Sequence, residues 1–90
     1  MALETLTANN ESFEFRVSYS MIFALQITDA TVALEYNLPQ TDDWISVPGG
    51  SWSEDTVDLI NTASMNTLFR LRTTAFGNNG AVSFTLGGTG

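Results

Sequence analysis

The stretch "TVALEYNLPQTDDWISVPGGSW", residues 31–52, decides the reading of the fold. Residues 31–38 alternate, with Val32, Leu34 and Tyr36 on one side. Period-two alternation marks a half-buried strand, because successive side chains point to opposite faces. "PQTDD" at 39–43 starts a turn with proline and continues with aspartates that can hydrogen-bond their own backbone. "WISV" at 44–47 is a short strand that ends at Pro48, and "PGG" at 48–50 is a second turn. The two tryptophans, Trp44 and Trp52, flank these turns. Trp44 is expected at the core or its rim. Trp52, between Ser51 and Ser53, is read either as a ring covering the end of a thin core or as an exposed anchor for a partner.

The same period runs outward in both directions. "SFEFRVSYS" at 12–20 places Phe13, Phe15, Val17 and Tyr19 on one face and Glu14, Arg16 and Ser18 on the other. "IFALQIT" at 22–28 turns Phe23, Leu25 and Ile27 inward. "DTVDLI" at 55–60 groups Val57 with Leu59, "TLFRLRTT" at 67–74 groups Phe69 with Leu71, and "AVSFTLG" at 81–87 groups Val82, Phe84 and Leu86. "TDA" at 28–30 reads as a tight connection. "GNNG" at 77–80 carries Asn79-Gly80, a strong hairpin signal. Over 53–64 a helical turn is possible, but the β-branched content favours a strand; a single helical turn near "TASMN" stays open.

These runs predict an all-β domain: an antiparallel β-sandwich, Ig-like or jelly-roll-like, of about seven to eight short strands. One-sided alternation also argues for antiparallel pairing. The 90 residues make a single domain. Residues 12–87 form its body, 1–11 an arm or edge strand, and 88–90 a frayed end. In the first segment Leu3 and Leu6 stand among polar residues, either in an edge strand or as anchors on a neighbouring subunit.

Composition narrows the chemistry. The chain has no cysteine and no histidine. No disulfide can staple it, and the commonest general base and metal ligand are missing. A chain of this length buries only ~60–65% of its unfolded surface, so oligomerisation or docking is the remaining usual support. Three arginines, Arg16, Arg70 and Arg72, face ten acids, for a net charge of −7. That balance disfavours nucleic acid and anionic membranes as partners. The longest apolar run, "MIFAL" at 21–25, is too short to span a bilayer. The start, "MALETLTANNESF", lacks the basic and apolar regions of a signal peptide, so synthesis in a cytoplasm is expected.

Few residues are candidates for a reaction. Asp42 with Asp43, and Glu54 with Asp55 and Asp58, could pair as carboxylates for glycoside hydrolysis or hold calcium, but no D-x-D-x-D-G spacing accompanies them. "GNNG" lacks the GK[ST] of a phosphate loop. Neither catalytic residues nor a cofactor or metal is assigned. Arg70 and Arg72 share one strand face; they either pair with acids on a neighbouring strand, such as Glu14 or Glu35, or fix a subunit contact. The candidate contact residues are therefore Leu3, Leu6, Trp52, Arg70 and Arg72. A carbohydrate-binding or adhesin module, with Trp44 or Trp52 as a sugar platform, is a competing reading.

The succession "FEFRVSYS…ITDATVALEYNLPQTDDWISVP…FRLRTTAFGNNGAVSFTL", over about residues 12–86, resembles small phage virion proteins that decorate, or cement, capsids. In that group a V-x-L-E-Y/G-S strand leads through a D-G-x-x-W turn to a short strand, and an aromatic-Arg-Leu strand precedes a Gly/Asn turn. The matching positions are Val32, Leu34, Glu35, Tyr36, Asp43 and Trp44, then Phe69, Arg70, Leu71 and Gly80. "TDDW" replaces the D-G element. The resemblance implies a homotrimer on the outside of a virion, bound to the major capsid protein; a place on a spike or tail is the other implied setting.

Overall fold

Six antiparallel strands account for the alternation in the computed structural model, which describes residues 3–62 and 66–87. They are β1 (Glu4–Leu6), β2 (Ser12–Val17), β3 (Ser20–Asn37), β4 (Trp44–Trp52), β5 (Thr56–Asn61) and β6 (Thr67–Leu86). All belong to one hydrogen-bonded sheet. The expected class, all-β and antiparallel, is what the chain adopts. The number of strands is lower than the sequence suggests, because three expected turns lie inside strands. The expected helical turn near "TASMN" and the end at 88–90 fall largely or wholly outside the described residues.

The "TDA" and "GNNG" segments lie opposite each other. Thr28 pairs with Ala81, and Ala30 with Phe76, so both segments stay within the long β3–β6 ladder. Residues 77–80 bulge outward opposite Asp29. A two-residue I′ hairpin needs positive φ at both central residues. No residue from 77 to 80 has it; Asp29 does, at φ 47°. The Asp29 carboxylate fills the bulge and accepts a hydrogen bond from the Asn79 amide at 3.2 Å. It occupies the place where a Cβ on Gly77 would stand, so any side chain there would have to displace the Asp29 carboxylate from the bulge. "PGG" behaves in the same way. Ser46 pairs with Glu35 and Ser51 with Ala33, leaving residues 47–50 opposite Leu34 alone. Gly49 takes φ 74°, and β4 continues to Trp52.

These bulges let one sheet enclose its own core. A 20-residue strand such as β6 would span about 65 Å if straight. The longest dimension of the molecule is 38 Å, so the β3–β6 ladder must bend. The bend divides the sheet into two halves. In one, β5 and β1 flank the first part of β3 and the last part of β6. In the other, β4 and β2 flank the last part of β3 and the first part of β6. Each bulge also switches the parity of the buried positions. Phe23, Leu25 and Ile27 are buried before it in β3, and Ala30, Val32 and Leu34 after it; Phe69 and Leu71 give way to Val82 and Phe84 in β6. Contacts between the halves close the core. Phe13 of β2 meets Phe84 edge-to-face at 5.3 Å, and Phe23 of β3 meets Trp52 of β4 at 5.2 Å.

The N-terminal segment is tied to the domain. β1 pairs with β6, and Leu6 sits beside Val82. The loop that follows is pinned to Thr73, whose hydroxyl donates to Ala8 O (2.7 Å) and accepts from the Glu11 amide (3.0 Å). Two of the apolar groupings read from alternation end at the surface. Tyr19, with φ 69°, turns out of the β2 alternation and is exposed. In β5, Val57 and Leu59 face solvent while Ile60 enters the core.

Candidate functional site

The outer surfaces of the two halves differ in chemistry. On the β4–β2 half, register sets Arg70 between Glu35 and Glu14, and Arg72 between Ala33 and Ser12. Glu35 is 4% exposed. Arg70 Nε donates to its Oε1 at 2.5 Å, and Arg72 Nη2 to its Oε2 at 2.9 Å. The Arg72 guanidinium, and with it Arg70, holds the Glu35 carboxyl below its usual range despite the opposing effect of burial. The same hydrogen bond raises Arg72 above its ordinary value. Arg70 also lies over the Trp44 ring, 4.3 Å from its centroid. Arg16 donates to the Asn66 carbonyl at 2.9 Å. Each of the three arginines thus has an acceptor within the chain, and this face is closed by its own side chains.

The β5–β1 half carries a bare apolar surface. Register places Leu59 beside Ile22 and Val57 beside Ala24. Ala24 in turn pairs with Thr85. Leu3, just ahead of β1, lines a shallow groove of about 450 Å³ together with Ala24, Val57 and Thr85. The exposures are 62% for Leu3, 53% for Ile22, 73% for Val57 and 50% for Leu59. Among the described residues Tyr19 and Ile45 are the remaining large exposed apolar side chains. A clustered apolar face on a small domain with few charges is the usual mark of an interaction surface.

A second feature adjoins the first. Between β4 and β5 a cleft of about 330 Å³ reaches the core, floored by Phe23, Leu34 and Phe69 and walled by Trp52 and Pro48. Asp58 stands in its lining, and the Asp58 carboxylate accepts a hydrogen bond from the Leu59 amide at 2.7 Å. Among the described residues no strand pairs with the outer edge of β5.

The candidate contact residues of the sequence therefore separate. Leu3 is on the open apolar face. Leu6, 3% exposed, belongs to the core of its own chain. Trp52 packs edge-on against Phe23 at the cleft wall. Arg70 and Arg72 are on the opposite face, engaged with Glu35. Trp44, expected at the core or its rim, is half-buried and lies under Arg70. Ile22, Val57 and Leu59 were missed as surface residues. In Val57 and Leu59 the available signal was an apolar pair at a spacing that leaves Ile60 on the opposite face.

The acidic candidates do not assemble. Asp55 Oδ1 accepts from the Ile27 amide at 2.9 Å, a structural bond between β3 and the start of β5. The Asp43 backbone closes the 39–43 turn through Leu38 N at 3.0 Å. Among the described residues no group of three potential ligands converges on a metal position. Among the described residues no helix is long and apolar enough to cross a membrane. Comparison with known protein families, curated proteins and solved structures finds no match to this chain.

Proposed function

We propose that this chain is a structural accessory of a virion: a capsid decoration, or cement, protein that docks on the outer surface of the major capsid protein and stabilises the shell. The observation that carries the proposal is the apolar face of Leu3, Ile22, Val57 and Leu59 on a domain whose other face is sealed by its own ion pairs. Covering that face supplies the extra burial a 90-residue chain without disulfides needs. The sequence resemblance supplies the setting. In that setting the chain forms a closed trimer on a local symmetry axis of the shell, and modest single contacts sum over several sites. The role requires no cofactor.

The test is co-sedimentation of the purified chain with capsids of the encoding phage, both emptied and filled. Binding at micromolar concentration and physiological salt is expected, with loss of binding in Val57→Asp. Absence of binding to either kind of capsid overturns the reading.

A further inference from the structure

We infer that the β5 edge is a strand-addition site for an extended apolar segment of a partner protein that carries lysine or arginine beside its apolar residues. The inference rests on the proposal that the chain is a binding module and names the chemistry of what it binds.

Three observations converge on β5. Its backbone is paired on one side only, with β3. An unpaired edge offers main-chain donors and acceptors to another strand, and this chain has no lysine to guard it; the Leu59 amide is held by the Asp58 carboxylate at 2.7 Å, a bond that an added strand or a cation on Asp58 would replace. The outer side of that edge carries Val57 and Leu59, and the inner side faces a largely apolar cleft in which Asp58 and Asn61 are the polar members. An added strand would direct alternate side chains to opposite faces. One set would extend the outer surface of Val57 and Leu59. The other would enter the cleft above Phe23, Leu34 and Phe69. Recognition by strand addition uses such a division: main-chain bonds for affinity and pockets for alternate side chains.

Charge selects the occupant. Residues 53–62 carry Glu54, Asp55 and Asp58 and no basic residue. A second copy would set its own acids against these, and the three arginines already have acceptors elsewhere in the chain. An inward charge on an edge strand also guards against pairing with an identical edge. Asp58, at the mouth of an apolar cleft, bars another acidic copy and favours a basic group. The segment that fits is extended, apolar at alternate positions and cationic at the flank.

The probe is a short peptide of alternating valine and threonine with lysine at both ends, compared with its glutamate-ended counterpart, each titrated into the full chain and followed by amide chemical shifts. The lysine peptide is expected to shift the amides of 56–61 and to perturb the Trp52 indole, while the glutamate peptide binds at least about tenfold more weakly. Asp58→Lys is expected to reverse that preference; if that variant does not fold, Asp58→Asn is expected to remove it. Equal binding of both peptides, shifts confined to other edges, or self-association of the chain through 56–61 overturns the inference. Capsid binding is read separately. A lysine peptide that docks on β5 in a chain that ignores capsids supports this inference and overturns the virion setting. Capsid binding unchanged by Asp58→Lys overturns this inference alone.

Discussion

The two halves of the folded sheet are built from the same pair of long strands, yet they end in opposite surface chemistry. The β4–β2 half covers its outer face with Glu35, Arg70, Arg72 and Trp44, and Glu35 is buried beneath them. The β5–β1 half leaves Leu3, Ile22, Val57 and Leu59 in water. The first half is closed by its own side chains; the second leaves its apolar side chains open. A shared core makes the difference possible, because Leu3, Ile22, Val57 and Leu59 all lie outside it.

Breaking the shared core should have the largest effect. Phe84 is 1% exposed and touches Phe13 across the two halves. Phe84→Ala should cost about 3–5 kcal/mol in denaturant unfolding, enough to abolish both faces together. Opening the sealed half is next. Glu35→Gln leaves two guanidinium groups without their carboxylate; because both are partly solvated, the expected loss is about 1–2 kcal/mol at pH 7. The pH dependence has a definite sign. The folded carboxyl titrates below its ordinary value of 4.5, so its stabilisation is present above that value and is lost as pH falls through the folded pKa. The rise of stability with pH across that acidic window should therefore be shallower in Glu35→Gln.

Gly49→Ala sharpens the role of the β4 bulge. No atom obstructs a Cβ there, but φ is 74°, so the cost should be strain alone, about 1 kcal/mol by thermal unfolding. The smallest effect belongs to the open face. Val57→Thr should change stability by no more than about 0.5 kcal/mol, since the side chain is 73% exposed, while reducing capsid binding. A large stability loss in Val57→Thr would place that residue in the core and remove the contrast between the halves.

The sequence carried the strand pattern well and the connections poorly. Phe15, Val17, Phe23, Leu25, Val32, Leu34, Phe69, Leu71, Val82 and Phe84 are all core residues read from alternation. "TDA", "PGG" and "GNNG" look like turns in the sequence because bulges use the same residues: glycine for close approach or positive φ, and aspartate or asparagine for local hydrogen bonds. Only the register, which keeps Thr28 on Ala81 and Ala30 on Phe76, separates a bulge from a hairpin. The ion pair was legible as an option, since Glu35 and the two arginines alternate on strands able to pair. The apolar face was not. Period two assigns side chains to two faces without saying which is buried, and in β5 Ile60 took the inner face while Val57 and Leu59 took the outer.

Amide hydrogen exchange of the chain, free and bound to capsids of the encoding phage, is the most direct measurement. The account predicts new protection at residues 56–61 on binding, with residues 12–17 and 67–72 unchanged. Protection gained at 12–17 and 67–72, with 56–61 still exchanging as in the free chain, would contradict it.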